Sequence, residues 1–159
     1  MTFHKILVAI DDSKAAPKVF RHALNTAVQD EAELMIFNCT TMQRVSESIP
    51  LMGTGIGIDL SSKMMFEMQQ EHWKKEAVRV EKLLKNYVEK AEAEGVNVTP
   101  ETKFGDPGSW ICDLAKNWQA DLIVLGRRGH RGLKEVLLGS VSNYVLHHAD
   151  CSVMVVQGS

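Results

Sequence analysis

An open α/β fold built on a mainly parallel sheet is what this sequence predicts, on three observations. Five short runs with strand character are spaced along 159 residues, most of them almost wholly apolar, as strands buried on both faces are. Between most of them lie stretches with an apolar residue every third or fourth position, the period of an amphipathic helix. Strand-like and helix-like segments therefore alternate, and that alternation builds a parallel sheet flanked by helices.

The first run, Lys5 to Ile10, is stopped by Asp11, Asp12 and Ser13. Ser13 is the expected N-cap of a helix through about Val28, with Pro17 near its start, where a missing N–H costs little. Val19/Phe20, Ala23/Leu24 and Ala27/Val28 form its apolar stripe. Glu33 to Asn38 reads as the second strand. Residues 40–62 contain Pro50, Gly53, Gly55 and Gly57 and are expected to be a long irregular loop within one domain spanning 1–159. A long helix should follow, because Met64, Met68, Trp73, Ala77, Val80, Leu84, Val88 and Ala91 recur at spacings of three to five. Gly95 ends it, and Val96 to Phe104 reads as an edge strand that tolerates Pro100. Gly105-Asp106-Pro107 turns into a helix over Pro107 to Trp118. Asp121 to Leu125 is a buried strand, Gly139 to His148 the last helix, and Val153 to Val156 the closing strand.

Composition narrows the function classes. The 45% hydrophobic and 24% charged residues are those of an ordinary globular protein. The formal charge of −2 lacks the basic excess that neutralises phosphate backbones, so no nucleic-acid partner is expected. No apolar run reaches the ~18 residues that span a bilayer. The stretch Ile6 to Ile10 is too short for the apolar core of a secretion signal. Cys39, Cys112 and Cys151 are odd in number and form no CxxC pair, so a cytoplasmic setting with reduced thiols is expected.

The chemistry concentrates in the segment from Leu125 to Ala149. Gly126 ends a strand, Gly129 follows three residues later, and Gly139-Ser140 opens a helix thirteen positions after Gly126. Glycines at a strand's carboxyl end let backbone N–H groups approach a ligand where a Cβ would collide. The N–H groups of Ser140, Val141 and Ser142 at the helix start, with the positive end of its dipole, favour an anion, and phosphate is the natural one. Arg127, Arg128, His130, Arg131 and Lys134 add cations nearby. Taken singly, each glycine also reads as an ordinary turn or cap. Together they read as an anion site. No GxxxxGK[ST] occurs, and Gly53–Gly57 (GTGIG) lacks the strand and spacing of a dinucleotide fingerprint. Asp11 is the second candidate, able to accept from ribose hydroxyls or hold a phosphate-bound Mg²⁺ through water. Its plainer reading, shared with Asp12, is a helix cap. His147-His148 read as surface residues, Cys39 as a small buried hydrophobe, and Met42, Met52, Met64, Met65 and Met68 as core filling.

GRRG, nine residues and then GSVS, followed by a VMVV strand, resembles the universal stress protein family, more narrowly its ATP-binding branch with the signature G-x2-G-x9-G-[ST]. ILVAIDDS at the start and the Gly105–Pro107 turn strengthen the likeness, which covers nearly the whole chain. The resemblance implies a Rossmann-like five-stranded parallel sheet in the order 3-2-1-4-5 with helices on both faces. It implies that backbone groups at Gly126, Gly129, Gly139, Ser140 and Val141 hold the triphosphate of ATP, with Asp11 beside the nucleotide and adenine near Asn38–Cys39. It further implies a homodimer through the last strand, here Val153, Met154, Val155 and Val156. Ser152 departs from the proline that usually precedes that strand.

Three functions compete on these grounds. The first is a nucleotide-responsive regulatory protein with at most slow ATP hydrolysis, since no nucleophile–base pair or phosphate-gripping lysine is visible. The second is an enzyme that adenylylates a substrate by splitting ATP, although Asp11-Asp12-Ser13 lacks the glycines of such a loop. The third is an interaction module whose methionine-rich helix binds a protein without nucleotide.

Overall fold

The computed structural model describes residues 1–41, 62–127 and 138–158. Its described elements are β1 (Lys5–Ala9), α1 (Ala16–Asp30), β2 (Glu33–Thr40), α2 (Ser62–Ala93), β3 (Val98–Phe104), α3 (Pro107–Trp118), β4 (Leu122–Gly126), α4 (Ser140–His148) and β5 (Ser152–Val156). The strands form one all-parallel sheet in the order β3-β2-β1-β4-β5, as the resemblance implies. Side chains alternate across it. Ile6, Val8, Leu34, Ile36, Leu122 and Val124 pack under α1 and α2. Leu7, Met35, Phe37, Ile123 and Leu125 pack under α3 and α4 on the other face. Strands buried on both sides need no polar alternation, which is why β1 and β4 read as unbroken apolar runs.

The strand ends follow the expected pattern within a residue or two, and β5 begins at Ser152 without a proline. The start of α1 does not. Ser13 is not its N-cap: the helix begins at Ala16, with Ala15 in the cap position, no side-chain cap and Pro17 in the first turn. The Asp11 carboxylate accepts from the Ser13 N–H at 3.0 Å, closing an Asx turn that uses up the residues expected to start the helix. The far ends of α1 and α3 lie on Glu31 and Gln119 in the left-handed region (φ 55° and 59°), where no glycine marks them. Asp106 caps α3 by accepting from both the N–H and the hydroxyl of Ser109 (2.8 and 2.7 Å).

Two methionines near the start of α2, expected in the core, lie at the surface. Met64 and Met68 are 53% and 39% exposed, beside Phe66 at 59%, and do not fill the core. The reason is length. α2 has 32 residues and β3 seven, so α2 overruns the sheet. Trp73 meets Phe104, the last residue of β3, edge to face at 4.6 Å. Beyond that point Val80, Leu84, Tyr87 and Ala91 are buried. Met42 and Met52 lie outside the described residues.

At the opposite end of the sheet, Asp121 ties β4 to the chain entering β1. Its carboxylate accepts from the N–H groups of His4 (2.6 Å) and Lys5 (2.9 Å). Those two hydrogen bonds, the His4 one foremost, hold its pKa below the usual carboxylate value. A depressed folded-state pKa contributes stability that is fully present above the unfolded value near 3.9 and is lost as pH falls through the folded one. Asp121→Asn should therefore cost about 1 kcal/mol at pH 7, less than a buried charged hydrogen bond because the group meets solvent. In urea melts the deficit should hold above the unfolded value of about 3.9 and shrink as pH falls through the lower folded-state pKa.

Candidate functional site

The sheet order places β1 beside β4, with Ile6 opposite Leu122 and Val8 opposite Val124. From β1 the chain proceeds outward to β2 and β3, and only then crosses back to β4. The carboxyl ends of β1 and β4 thus flank a topological switch point, where open α/β sheets leave a crevice for ligands.

Arg127 organises the β4 side through its backbone. Its N–H donates to Val156 O (2.8 Å), extending the ladder to β5, and its carbonyl accepts from the N–H of Gly139 (2.8 Å). The Ser142 hydroxyl is within donating distance of the same Arg127 carbonyl (2.9 Å) and of Gly139 O (3.0 Å). The first turn of α4 is thereby fastened to the end of β4, and the Asn143 N–H closes it on Gly139 O at 2.9 Å. Gly139 is extended at the N-cap and offers no side chain to the helix N–H groups. The first N–H groups of α4, from Ser140 to Ser142, are those that a helix leaves without internal partners. Ser140 is exposed and Val141 half-buried. Ser142 is 1% exposed, so its hydroxyl serves the fold and its contribution to a ligand would be its backbone N–H.

Asp11 lies past the carboxyl end of β1, the strand that pairs with β4, two residues beyond it and partly buried. Its Oδ1 holds the Ser13 N–H, and among the described residues its Oδ2 has no partner. The two halves of the glycine spacing meet through Gly126–Arg127 and Gly139–Ser142, while Gly129, Arg128, His130, Arg131 and Lys134 lie outside the described residues. His147 and His148 are exposed, as read from the sequence. His148 stacks on Tyr144 with ring centroids 4.0 Å apart.

Three features of this end of the sheet escaped the sequence. Asn38 is 2% exposed, and its Nδ2 donates to Ile10 O at 2.8 Å, pinning the chain just before Asp11. Its Oδ1 is buried without a partner among the described residues. An asparagine within an apolar strand is the one signal that could have drawn notice. Second, the Asp12 carboxylate accepts from Arg79 of α2 at 3.2 Å. Third, the Cys39 thiol is half-buried rather than buried as expected, and desolvation with the nearby Asp106 charge pushes its pKa up to about 11. It is therefore a protonated, sluggish thiol at neutral pH. Elsewhere, a cavity of about 830 Å³ opens between α2 and β3, lined by Trp73, Glu76, Val80, Leu84, Pro100 and Phe104 among others. Its described lining includes none of Asp11, Gly126, Arg127 or Gly139–Ser142.

The class these features define is that of the open α/β proteins with a crevice at the switch point. Residues 2–157 match the model of the universal stress protein family, and the chain belongs to that family. Universal stress protein Sll1388 of Synechocystis sp. is 40% identical over 158 residues, 99% of each chain. Universal stress protein UspA from Lactobacillus plantarum superposes with a TM-score of 0.78 at 26% identity, covering 98% of this chain and 99% of that one. A universal stress protein solved in complex with cAMP shares the fold with a TM-score of 0.68 at 19% identity over the whole of both chains. No described helix is long and apolar enough to cross a membrane.

Proposed function

We propose that the protein binds an adenine nucleotide, ATP with Mg²⁺, in the crevice between β1 and β4, and that occupancy regulates it. The observation that carries this reading is the bond from the Gly139 N–H to the Arg127 carbonyl, which fastens the start of α4 to the carboxyl end of β4. In the proposed complex the backbone N–H groups of Ser140, Val141 and Ser142 donate to phosphate oxygens, with Gly126, Gly129 and Gly139 allowing close approach. Arg127 adds a positive charge at the rim. Asp11 accepts from ribose or orients a Mg²⁺-bound water through Oδ2. Among the described residues no cluster of three or more acidic, histidine or cysteine side chains could hold a metal alone. Mg²⁺ fits such a site, because it is commonly held by phosphate oxygens and water with one carboxylate. The complex of a relative with cAMP supports an adenine ligand. With no P-loop lysine in the sequence, hydrolysis is at most slow.

The proposed homodimer uses β5, a sheet edge whose Val153, Met154 and Val155 are partly exposed. Val156 is 5% exposed and already belongs to the core. A second reading, a protein-binding surface on α2, is favoured by the exposed Met64, Phe66 and Met68.

Mg·ATP at a hundredfold excess over its Kd should stabilise the protein by about 2.7 kcal/mol, raising its melting temperature by several degrees. Gly129→Val combined with Ser140→Ala should abolish the rise. An unchanged melting curve at millimolar Mg·ATP would count against the site.

A further inference from the structure

Charged contacts lead from the crevice to the cavity between α2 and β3. Asp12 follows Asp11 within the Asx turn that Asp11 closes on Ser13, so the two aspartates move together. Arg79 reaches Asp12 with Nη1 at 3.2 Å. The same guanidinium holds Glu76, one turn back on α2, in a two-pronged grip (Nε to Oε2 2.9 Å, Nη2 to Oε1 2.6 Å). Glu76 is a wall of the cavity, next to Ala77 and near Trp73, whose ring closes one end against Phe104. A planar, always-charged fork is the side chain that can hold two carboxylates in fixed relative positions. A second link supports the connection: Tyr87, two turns further along α2, has its hydroxyl pKa raised by burial and by the charge of Asp11.

We infer that Arg79 is a positioning residue that couples nucleotide occupancy at Asp11 to the part of α2 lining the cavity, through the Asp12–Arg79–Glu76 contacts. The inference rests on the reading of the crevice as a nucleotide site. A cation or ribose engaging Asp11 stabilises one arrangement of the turn, and the Asp12–Arg79 contact extends that preference to α2. By linkage the effect is reciprocal, so an α2 held by Arg79 favours the nucleotide-ready turn. The Arg79 and Asp12 side chains are 40% and 29% exposed. A pair so open to water supports a coupling of about two- to fivefold in affinity and no more.

The test is hydrogen exchange and calorimetry on the full chain, with and without saturating Mg·ATP, for wild type, Arg79→Met and Asp12→Asn. In the wild type, nucleotide should slow exchange both at residues 139–145 and at residues 73–80. In both variants protection at 139–145 should persist, protection at 73–80 should be lost, and Mg·ATP should bind about two- to fivefold more weakly. Asp12→Asn leaves the Arg79–Glu76 grip in place, so it separates coupling from mere helix support. Protection at 73–80 that is absent in the wild type, or retained in the variants, overturns the inference while leaving the crevice reading intact. Faster exchange along all of α2 in both nucleotide-free variants also overturns it, by assigning the contacts to helix stability. No protection at 139–145 in the wild type defeats the crevice reading and this inference with it.

Discussion

Asn38→Asp should destabilise the protein by about 3 kcal/mol or more at neutral pH, the cost of an uncompensated buried charge. The substitution is nearly isosteric, so packing barely changes. The wild-type amide donates to Ile10 O from a site 2% exposed to solvent. A carboxylate there has no proton to donate, and it faces a carbonyl oxygen that repels it. Burial raises the pKa of such a group in the folded state above its unfolded value. Once protonated, the introduced carboxyl regains a donor, so the deficit is largest above the raised folded-state pKa and shrinks as pH falls through it. The Asp121→Asn deficit also shrinks on acidification, but only below the ordinary carboxylate value, so chemical denaturation at pH 8 and pH 5 isolates the effect at position 38. Equal deficits at both values would mean that the amide's hydrogen bond does not hold the end of β1.

Gly108→Ala should cost about 1–3 kcal/mol, the range for overpacking a closed site. Gly108 is buried in the first turn of α3, and a Cβ built there lies 2.8 Å from Tyr144 Cδ1, 3.1 Å from Cγ and 3.2 Å from Cβ on α4. Rotating the tyrosine does not help, because the clash reaches the root of its side chain. The two helices must part or tilt. Since α4 carries the N–H groups proposed to hold phosphate, a tilt should also weaken nucleotide binding. Tyr144→Ala in the same chain should restore part of the stability by removing the ring, although its Cβ remains close. A single variant as stable as wild type would mean that the α3–α4 spacing is soft.

Much of the fold was legible because burial leaves a local period. β1, β2 and β4 are buried on both faces and read as apolar runs. The start of α3 is marked by Asp106-Pro107. Where elements failed to read true, a side chain had taken a backbone partner or the chain had run past its support. Asp11 captured the Ser13 N–H and delayed α1 to Ala16. α2 kept its apolar spacing through Met64 and Met68, where no sheet lies beneath it.

The candidate site was legible in the same uneven way. Gly126, Gly139 and Ser140 stand at the ends of readable elements, and their residue types carry the signal. The Arg127 carbonyl, which holds Gly139 and Ser142, carries none, because every residue has such a group. Asn38 reaches a partner 28 positions away and Arg79 one 67 positions away. No spacing rule links residues so far apart.

Local order in the chain is enough to set the alternation of strands and helices, the all-buried character of the central strands, and the glycine and hydroxyl types between Gly126 and Ser142. These follow from periods of two to four residues, which the chain expresses before it folds. Three-dimensional packing is what fastens α4 to β4 through Arg127, sets Asn38 against the end of β1 and joins the Asp12 turn to α2 through Arg79. Those contacts form when parallel strands and their crossover helices are packed. Packing fixes distances between distant residues, which local patterns do not contain.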